Sequence, residues 1–206
     1  MNQWLDLLES CLQICGGAFA LLTLASIYTG VWRGARRQAG RRSGPVPGLL
    51  HMPWFYLAAS LIFFGVCYLT WRPLPVTLST TQRLAALVIG ALLYFPGIGF
   101  VLWGRLALGE MYFVSTGFGA QLFAGHRLVT RGPYAIVRHP MYFGIALAVI
   151  GGIFLYQTWT MVLLLVLPLG LARRARVEER ALAAEFGLQW QEYSAQVSAF
   201  LPRWRR

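Results

Sequence analysis

The chain contains no lysine and few acids: seven Asp and Glu stand against 18 basic residues, all of them arginine. Charged residues make up only 12% of the 206 positions, about half the share in a soluble domain. Three cysteines, Cys11, Cys15 and Cys67, fall inside apolar segments, with no CxxC pair and no His/Cys spacing that would hold zinc. They read as small buried hydrophobes, and no metal site is expected. The opening MNQWLDLLES has acids where a secretory leader has a basic region, so no cleaved signal is expected. No internal repeat is visible, which argues against a transporter built from inverted halves.

What the chain has in abundance is apolar sequence: 57% hydrophobic, with a mean hydropathy of +0.56. The length suits a single membrane domain over 1–206, with no room for a separate soluble one. The net charge of +11 does not imply nucleic-acid binding. The arginines share no single face or helix; they cluster at the ends of apolar spans, as membrane topology and anionic headgroups require.

Four apolar blocks organise the chain. Leu12 to Trp32, Trp54 to Trp71 and Leu84 to Trp103 are each close to the roughly 20 helical residues that cross a bilayer core. Each ends in tryptophan, an interfacial anchor. Pro96, flanked by Gly97 and Gly99, should kink the third span or loosen its packing and leave room for a lipid tail. The fourth block, Tyr142 to Ala172, is divided by Tyr156-Gln157-Thr158 and reads as a short helical hairpin, Met141 to Leu155 out and Trp159 to Arg173 back. A single tilted helix is the alternative. Five spans place sixteen of the eighteen arginines on one side, leaving only Arg72 and Arg83 on the other. The fold expected is therefore an all-α integral membrane protein of five transmembrane helices with a cytoplasmic C-terminal amphipathic helix. Its N-terminus lies outside and its C-terminus inside, in the inner membrane of a bacterium. Residues 1–105 hold three spans and the basic cytoplasmic loop 33–48, with a turn-rich linker from Ser43 to Gly48. Residues 106–206 hold a polar island at 126–142, the hairpin at 141–173 and the amphipathic helix at 176–198. In that last helix Leu182, Phe186, Trp190, Tyr193 and Val197 recur every three or four residues, so it should lie at the interface or cover the island.

The island, HRLVTRGPYAIVRHPMY from His126 to Tyr142, carries more chemistry than a connector needs. Gly132-Pro133 forms a turn that can bring the Val129 backbone close to a flat ligand. Pro140 suits the first turn of a helix, where its missing N–H costs nothing. His139 then sits at the positive end of that helix, which disfavours its protonation and suits hydrogen bonding to a hydroxyl or amine. Tyr134 and Tyr142 offer π-faces to a cation or a purine. Arg174 and Glu178, four apart, share a helix face. Each of these features has an ordinary reading: a helix start, interfacial aromatics, an exposed ion pair. Arg138 could bind a headgroup or brace the island against Glu110 or Glu179, and Glu179 reads as structural. His51 reads as interfacial. The combination is what carries a functional reading.

Taken together, HRLVTRGPYAIVRHPMYFG and EERALAAEFGLQWQEYSAQVSAFLP beyond the hairpin resemble the isoprenylcysteine carboxyl methyltransferase family, a relative of the membrane phospholipid methyltransferases. The resemblance covers Gly125 to Pro202; the N-terminal spans match only in being apolar. It implies an enzyme using S-adenosylmethionine and releasing S-adenosylhomocysteine. It places His126, Arg127, Leu128 and Val129 along adenine and ribose, with Tyr134, His139, Pro140, Met141 and Tyr142 completing the pocket. It implies a cofactor contact for Glu178 and places Arg174 against the methyl acceptor; His139, by its own chemistry, is a candidate base should the acceptor be an amine. A family contact near Gly119 lacks its side chain here, Gln121 being a weak substitute.

Methyl transfer from a sulfonium needs alignment and exclusion of water more than it needs activation. A carboxylate acceptor requires no base, an amine requires one, and a thiol is intermediate. The resemblance favours a lipophilic carboxylate reached from the bilayer, as a small molecule or a lipid-modified acceptor among membrane lipids. A lipid amine or small thiol is the alternative. A membrane NADPH-dependent reductase is the runner-up, but no glycine-rich phosphate loop serves a second nucleotide. A non-catalytic cofactor-binding membrane protein is the reading from a different class.

Overall fold

The computed structural model of the chain describes residues 3–35, 39–42, 53–112, 121–123 and 125–202. Its helices are α1 (Gln3–Ala35), α2 (Pro53–Leu69), α3 (Thr80–Leu108), α4 (Pro140–Tyr156), α5 (Trp159–Leu163), α6 (Val166–Phe186) and α7 (Leu188–Gln196). Two short strands, β1 (Ala39–Arg42) and β2 (Gln121–Phe123), pair antiparallel and tie the loop after α1 to the approach to the polar island. Nothing in the residue pattern announced this ladder. The fold is otherwise helical, as expected. Among the described residues, two stretches, Gln3–Arg33 and Thr80–Met111, are long and apolar enough to cross a membrane; Leu57–Leu69 and Pro140–Tyr156 are shorter apolar helices. Leu7, Ile14, Leu21 and Leu22 on α1 and Leu61, Ile62 and Leu69 on α2 are exposed, as side chains facing lipid are. Cys11 and Cys15 share that exposure, which corrects the expectation that they are buried.

Close approach of α3 and α4 organises the bundle. The two run antiparallel: Gly90 faces Leu155, Gly97 faces Ala148, and Gly104 faces Met141. A Cβ on Gly97 would meet the Ala148 backbone nitrogen at 2.5 Å and the Gly144 carbonyl at 2.8 Å. This small-residue seam is how membrane helices gain van der Waals contact when lipid removes the hydrophobic drive to associate. It narrows the expectation of free room at Pro96: α3 is helical through the proline and α4 backbone fills the space beside Gly97, while the space beside Gly99 is open. The third span starts at a capping box, in which Ser79 Oγ accepts from the Gln82 N–H and Gln82 Oε1 accepts from the Ser79 N–H.

Helix α1 runs parallel to α3. Arg83 bridges to Asp6 and Glu9 at one end, the Tyr94 hydroxyl donates to the Gly16 carbonyl midway, and Arg105 Nε donates to the Ser26 carbonyl at the other end. Gly30 is small because the Arg105 guanidinium occupies the place of its side chain.

The second half departs from the expected boundaries in two places. The return leg breaks at Leu164-Leu165, one turn before Pro168, which has no N–H to extend the helix backward. From Val166 the chain is helical without interruption to Phe186, so no boundary separates a leg ending at Arg173 from a helix starting at 176. The amphipathic stretch 176–198 is instead divided at Gly187, whose φ of +49° ends α6 and starts α7.

Candidate functional site

The polar island is held from beneath by the chain's C-terminal segment. Gly132, at φ +64°, opens a 3-10 turn over Gly132–Ala135 that buries Pro133 and Tyr134. The Tyr193 hydroxyl on α7 donates to the Tyr134 carbonyl at 2.7 Å. Beyond α7 the chain lies alongside the island: the Arg138 N–H donates to the Ser198 carbonyl and the His139 N–H to the Ala199 carbonyl. Arg138 then locks the arrangement, donating to the Ser194 and Val197 carbonyls at 3.0 and 2.6 Å and to Glu179 Oε1 at 2.8–2.9 Å. Its partner is therefore Glu179, not Glu110.

Pro140 is the first residue of α4, and His139, just before it, takes the N-cap position. That turn aims His139 and Tyr142 at the same face of α6. The His139 ring lies 5.4 Å from the Tyr142 ring at an interplanar angle of 2°, and 5.4 Å from the Phe200 ring at 29°. His139 Nε2 is 3.0 Å from Glu179 Oε1, and Nδ1 is 3.7 Å from Glu178 Oε2. The Tyr142 hydroxyl donates to Glu178 Oε1 at 2.8 Å. Arg174, one turn before Glu178, brings Nε to 3.8 Å from the same oxygen, and its guanidinium sits 5.9 Å from the Tyr142 ring centre.

These groups border one cavity of about 400 Å³, within the ~300–1,000 Å³ range of small-molecule sites. His126, Arg127, Leu128, Val129, Tyr134, His139, Met141, Tyr142, Arg174 and Glu178 all line it. Pro140 does not; it is buried behind them and serves the helix start. Gly119 and His51 lie outside the described residues, as does the linker from Ser43 to Gly48.

Burial and charge set the protonation of the wall. Burial lowers His126 to about 4, so the ring is neutral at physiological pH. Burial pushes the Glu178 carboxyl up, against the opposing pull of Arg174 and His139. Glu179, one residue on, is held below the usual carboxylate range by His139 and by Arg138. Tyr193 is raised to about 12 by burial, so it remains a hydrogen-bond donor.

Several lining residues escaped the sequence reading. Leu24, Ile27, Tyr28 and Val31 from α1, Ser60 from α2, and Tyr112 also line the cavity. Tyr28 donates across the α1–α2 gap to Ser60. Tyr112 is held under the buried Arg105 guanidinium, 4.4 Å from its ring centre. Nothing in an apolar span marks which of its side chains will face a cavity. Trp190 and Tyr193 also line it, and for these the amphipathic spacing was a usable signal.

A family profile for phospholipid methyltransferases matches residues 85–189, from the start of α3 into α7. The chain belongs to the phospholipid methyltransferase family. It is thus a membrane methyltransferase, and the matched stretch contains every site residue named above from His126 to Glu178. No curated protein sequence matches the chain.

Proposed function

We propose that this methyltransferase transfers the methyl group of S-adenosylmethionine to the amine head of a phospholipid-like acceptor that enters from the bilayer. The observation that carries the reading is the mixed lining of one cavity: ionic and aromatic groups from the island and α6 share it with apolar side chains of α1.

The residues fit the donor. S-adenosylmethionine combines a flat purine, a cationic sulfonium and a zwitterionic tail. Tyr134 and Tyr142 offer π-faces to the first two, and Leu128 and Val129 offer an apolar floor. Glu178 is a carboxyl pushed up by burial, and a cationic ligand beside it would favour its ionised form. When bound, the donor supplies an already activated methyl, which leaves the protein to align the acceptor and exclude water.

Arg174 suits an anionic group on the acceptor. The sequence favoured a carboxylate there; the phosphate of a lipid head has the same requirement and is matched equally well by a guanidinium. The preference moves to the phospholipid because His139 also borders the cavity, and a proton acceptor is of use only to a nucleophile that carries a proton. The carboxylate remains the second reading, with Arg174 as its holder. On the orientation proposed, the ionic groups face the cytoplasm, where the donor is dissolved, with the N-terminus outside.

The test begins with calorimetric titration of detergent-purified protein with S-adenosylhomocysteine, with NADPH in parallel. Saturable binding of the first that is lost in Tyr134→Ala supports the donor pocket; binding of NADPH alone would replace the methyltransferase chemistry with a reductase. Methyl-labelled donor is then offered with vesicles of an amine phospholipid or with a prenylated carboxylic acid. Alkali-stable label in the amine lipid supports the reading. Alkali-labile label in the acid, the mark of a methyl ester, would return the acceptor to the carboxylate class.

A further inference from the structure

Glu178 and Glu179 are neighbours on α6, yet they do different things. Glu178 lines the cavity and receives the Tyr142 hydroxyl. Glu179 is not part of that lining; it stands behind His139, 3.0 Å from Nε2, and is gripped by Arg138. Successive residues on a helix point about 100° apart, so the two carboxylates meet the imidazole from different sides.

We propose that Glu179 is a positioning residue: it holds the Nε2–H of His139 so that Nδ1 faces the cavity and accepts the proton that a methyl-accepting amine must lose. The inference rests on the amine reading above.

A carboxylate paired with Arg138 is ionised and can only accept hydrogen bonds, so the nitrogen it meets must carry the hydrogen. In a neutral ring this leaves the lone pair on Nδ1. The ring cannot easily turn to exchange its two nitrogens, because it packs against both Tyr142 and Phe200 and its side chain is only 6% exposed. The ionisable groups around it are Glu178, Glu179 and Arg174 from α6, Arg138 from its own turn, Tyr142 from α4, Tyr134 from the 3-10 turn and Tyr193 from α7.

The step balances. An ammonium head gives one proton to Nδ1 and becomes a neutral amine. The amine lone pair forms the N–C bond to the donor's methyl as the S–C bond breaks, and that pair remains on sulfur as a thioether. The methylated product carries the positive charge that the sulfonium lost. The imidazolium formed lies between two carboxylates, Glu178 at 3.7 Å and Glu179 at 3.0 Å, and returns its proton to water after product leaves. A carboxylate acceptor would leave this apparatus without a task.

Two readouts test the proposal. The first uses the protein alone, without methyl donor: ring ¹⁵N shifts of His139, assigned among the three histidines with His139→Asn. One dominant tautomer with hydrogen on Nε2 is expected in the wild type, and a mixture in Glu179→Gln. Hydrogen on Nδ1 in the wild type would overturn the proposal, and this needs no variant to fold. The second is a pH profile of amine-lipid methylation. Glu179→Gln should lose at least about tenfold in kcat near neutral pH, a fraction of the 10²–10⁴ that general base catalysis supplies. Its S-adenosylhomocysteine affinity should stay within twofold. The deficit should shrink as pH rises toward about 10, where an alkylamine loses its proton unaided. A deficit equal at every pH would mean a structural role and overturn the proposal. If the tautomer is as expected but label enters only an acid, the amine reading fails and the base role fails with it, while the orientation of His139 by Glu179 stands.

Discussion

Replacing Gly97 with alanine tests the seam on which the site is mounted. The new Cβ would stand 2.5 Å from the Ala148 nitrogen and 2.8 Å from the Gly144 carbonyl, both backbone atoms that no rotamer change can move. Ordinary contact begins near 3.4 Å, so α4 must retreat by about 0.9 Å. Overpacking of this kind costs about 1–3 kcal/mol. Alanine also favours a helix over glycine by about 1 kcal/mol, which partly masks the clash. Gly99 provides the control: it lies on the same helix, with nothing within 4 Å of its added Cβ. Gly99→Ala should therefore keep the propensity gain without the clash. The two variants should differ by about 1–3 kcal/mol, with Gly97→Ala the less stable. Reversible unfolding in mixed micelles measures the difference, and S-adenosylhomocysteine titration reports whether the start of α4, with His139 and Tyr142, has moved. Equal stability of the two variants, or a more stable Gly97→Ala, would refute the close-packed seam.

Glu178→Ala should weaken S-adenosylhomocysteine binding by about tenfold or more, as expected for losing a charge-assisted contact of about 1.5–3 kcal/mol. Arg174→Ala should leave that affinity within about twofold and instead lower turnover of an anionic lipid acceptor; the opposite pattern in calorimetry and turnover would exchange the two roles. Stability should also depend on pH through His126. Its value falls from about 6.5 in the unfolded chain to about 4 in the fold, so the unfolded state binds more protons between those limits. The stabilisation is full above pH ~6.5 and is lost as pH falls toward ~4, by up to roughly 3 kcal/mol. His126→Asn should flatten that part of the stability–pH curve; an unchanged slope would mean that the ring is not buried neutral.

Much of this protein could be read along the chain because the signals are local. Apolar runs dictate helices, since a backbone in lipid must satisfy its own hydrogen bonds. Gly132-Pro133 and His139-Pro140 specify a turn and a helix start from their own φ preferences, so the island from His126 to Tyr142 was recognisable before any fold was known. The i, i+4 spacing of Arg174 and Glu178 was equally local. Contacts set by how one helix is rotated against another were not legible. The family resemblance pointed to Glu178 as the cofactor contact, but spacing alone could not: which carboxylate meets the cavity depends on the rotation of α6 against α4, and one residue of phase, about 100°, exchanges them. The same holds for the pairing of Arg138 with Glu179, 41 residues away, for the stacking of Phe200 on His139, and for the α1 side chains that line the cavity. The sequence by itself determined a helical membrane methyltransferase and the segment that carries its chemistry. Only the packing of α4, α6 and the C-terminal segment decided what Glu179 does, held by Arg138 against the ring of His139, because those contacts join residues far apart along the chain.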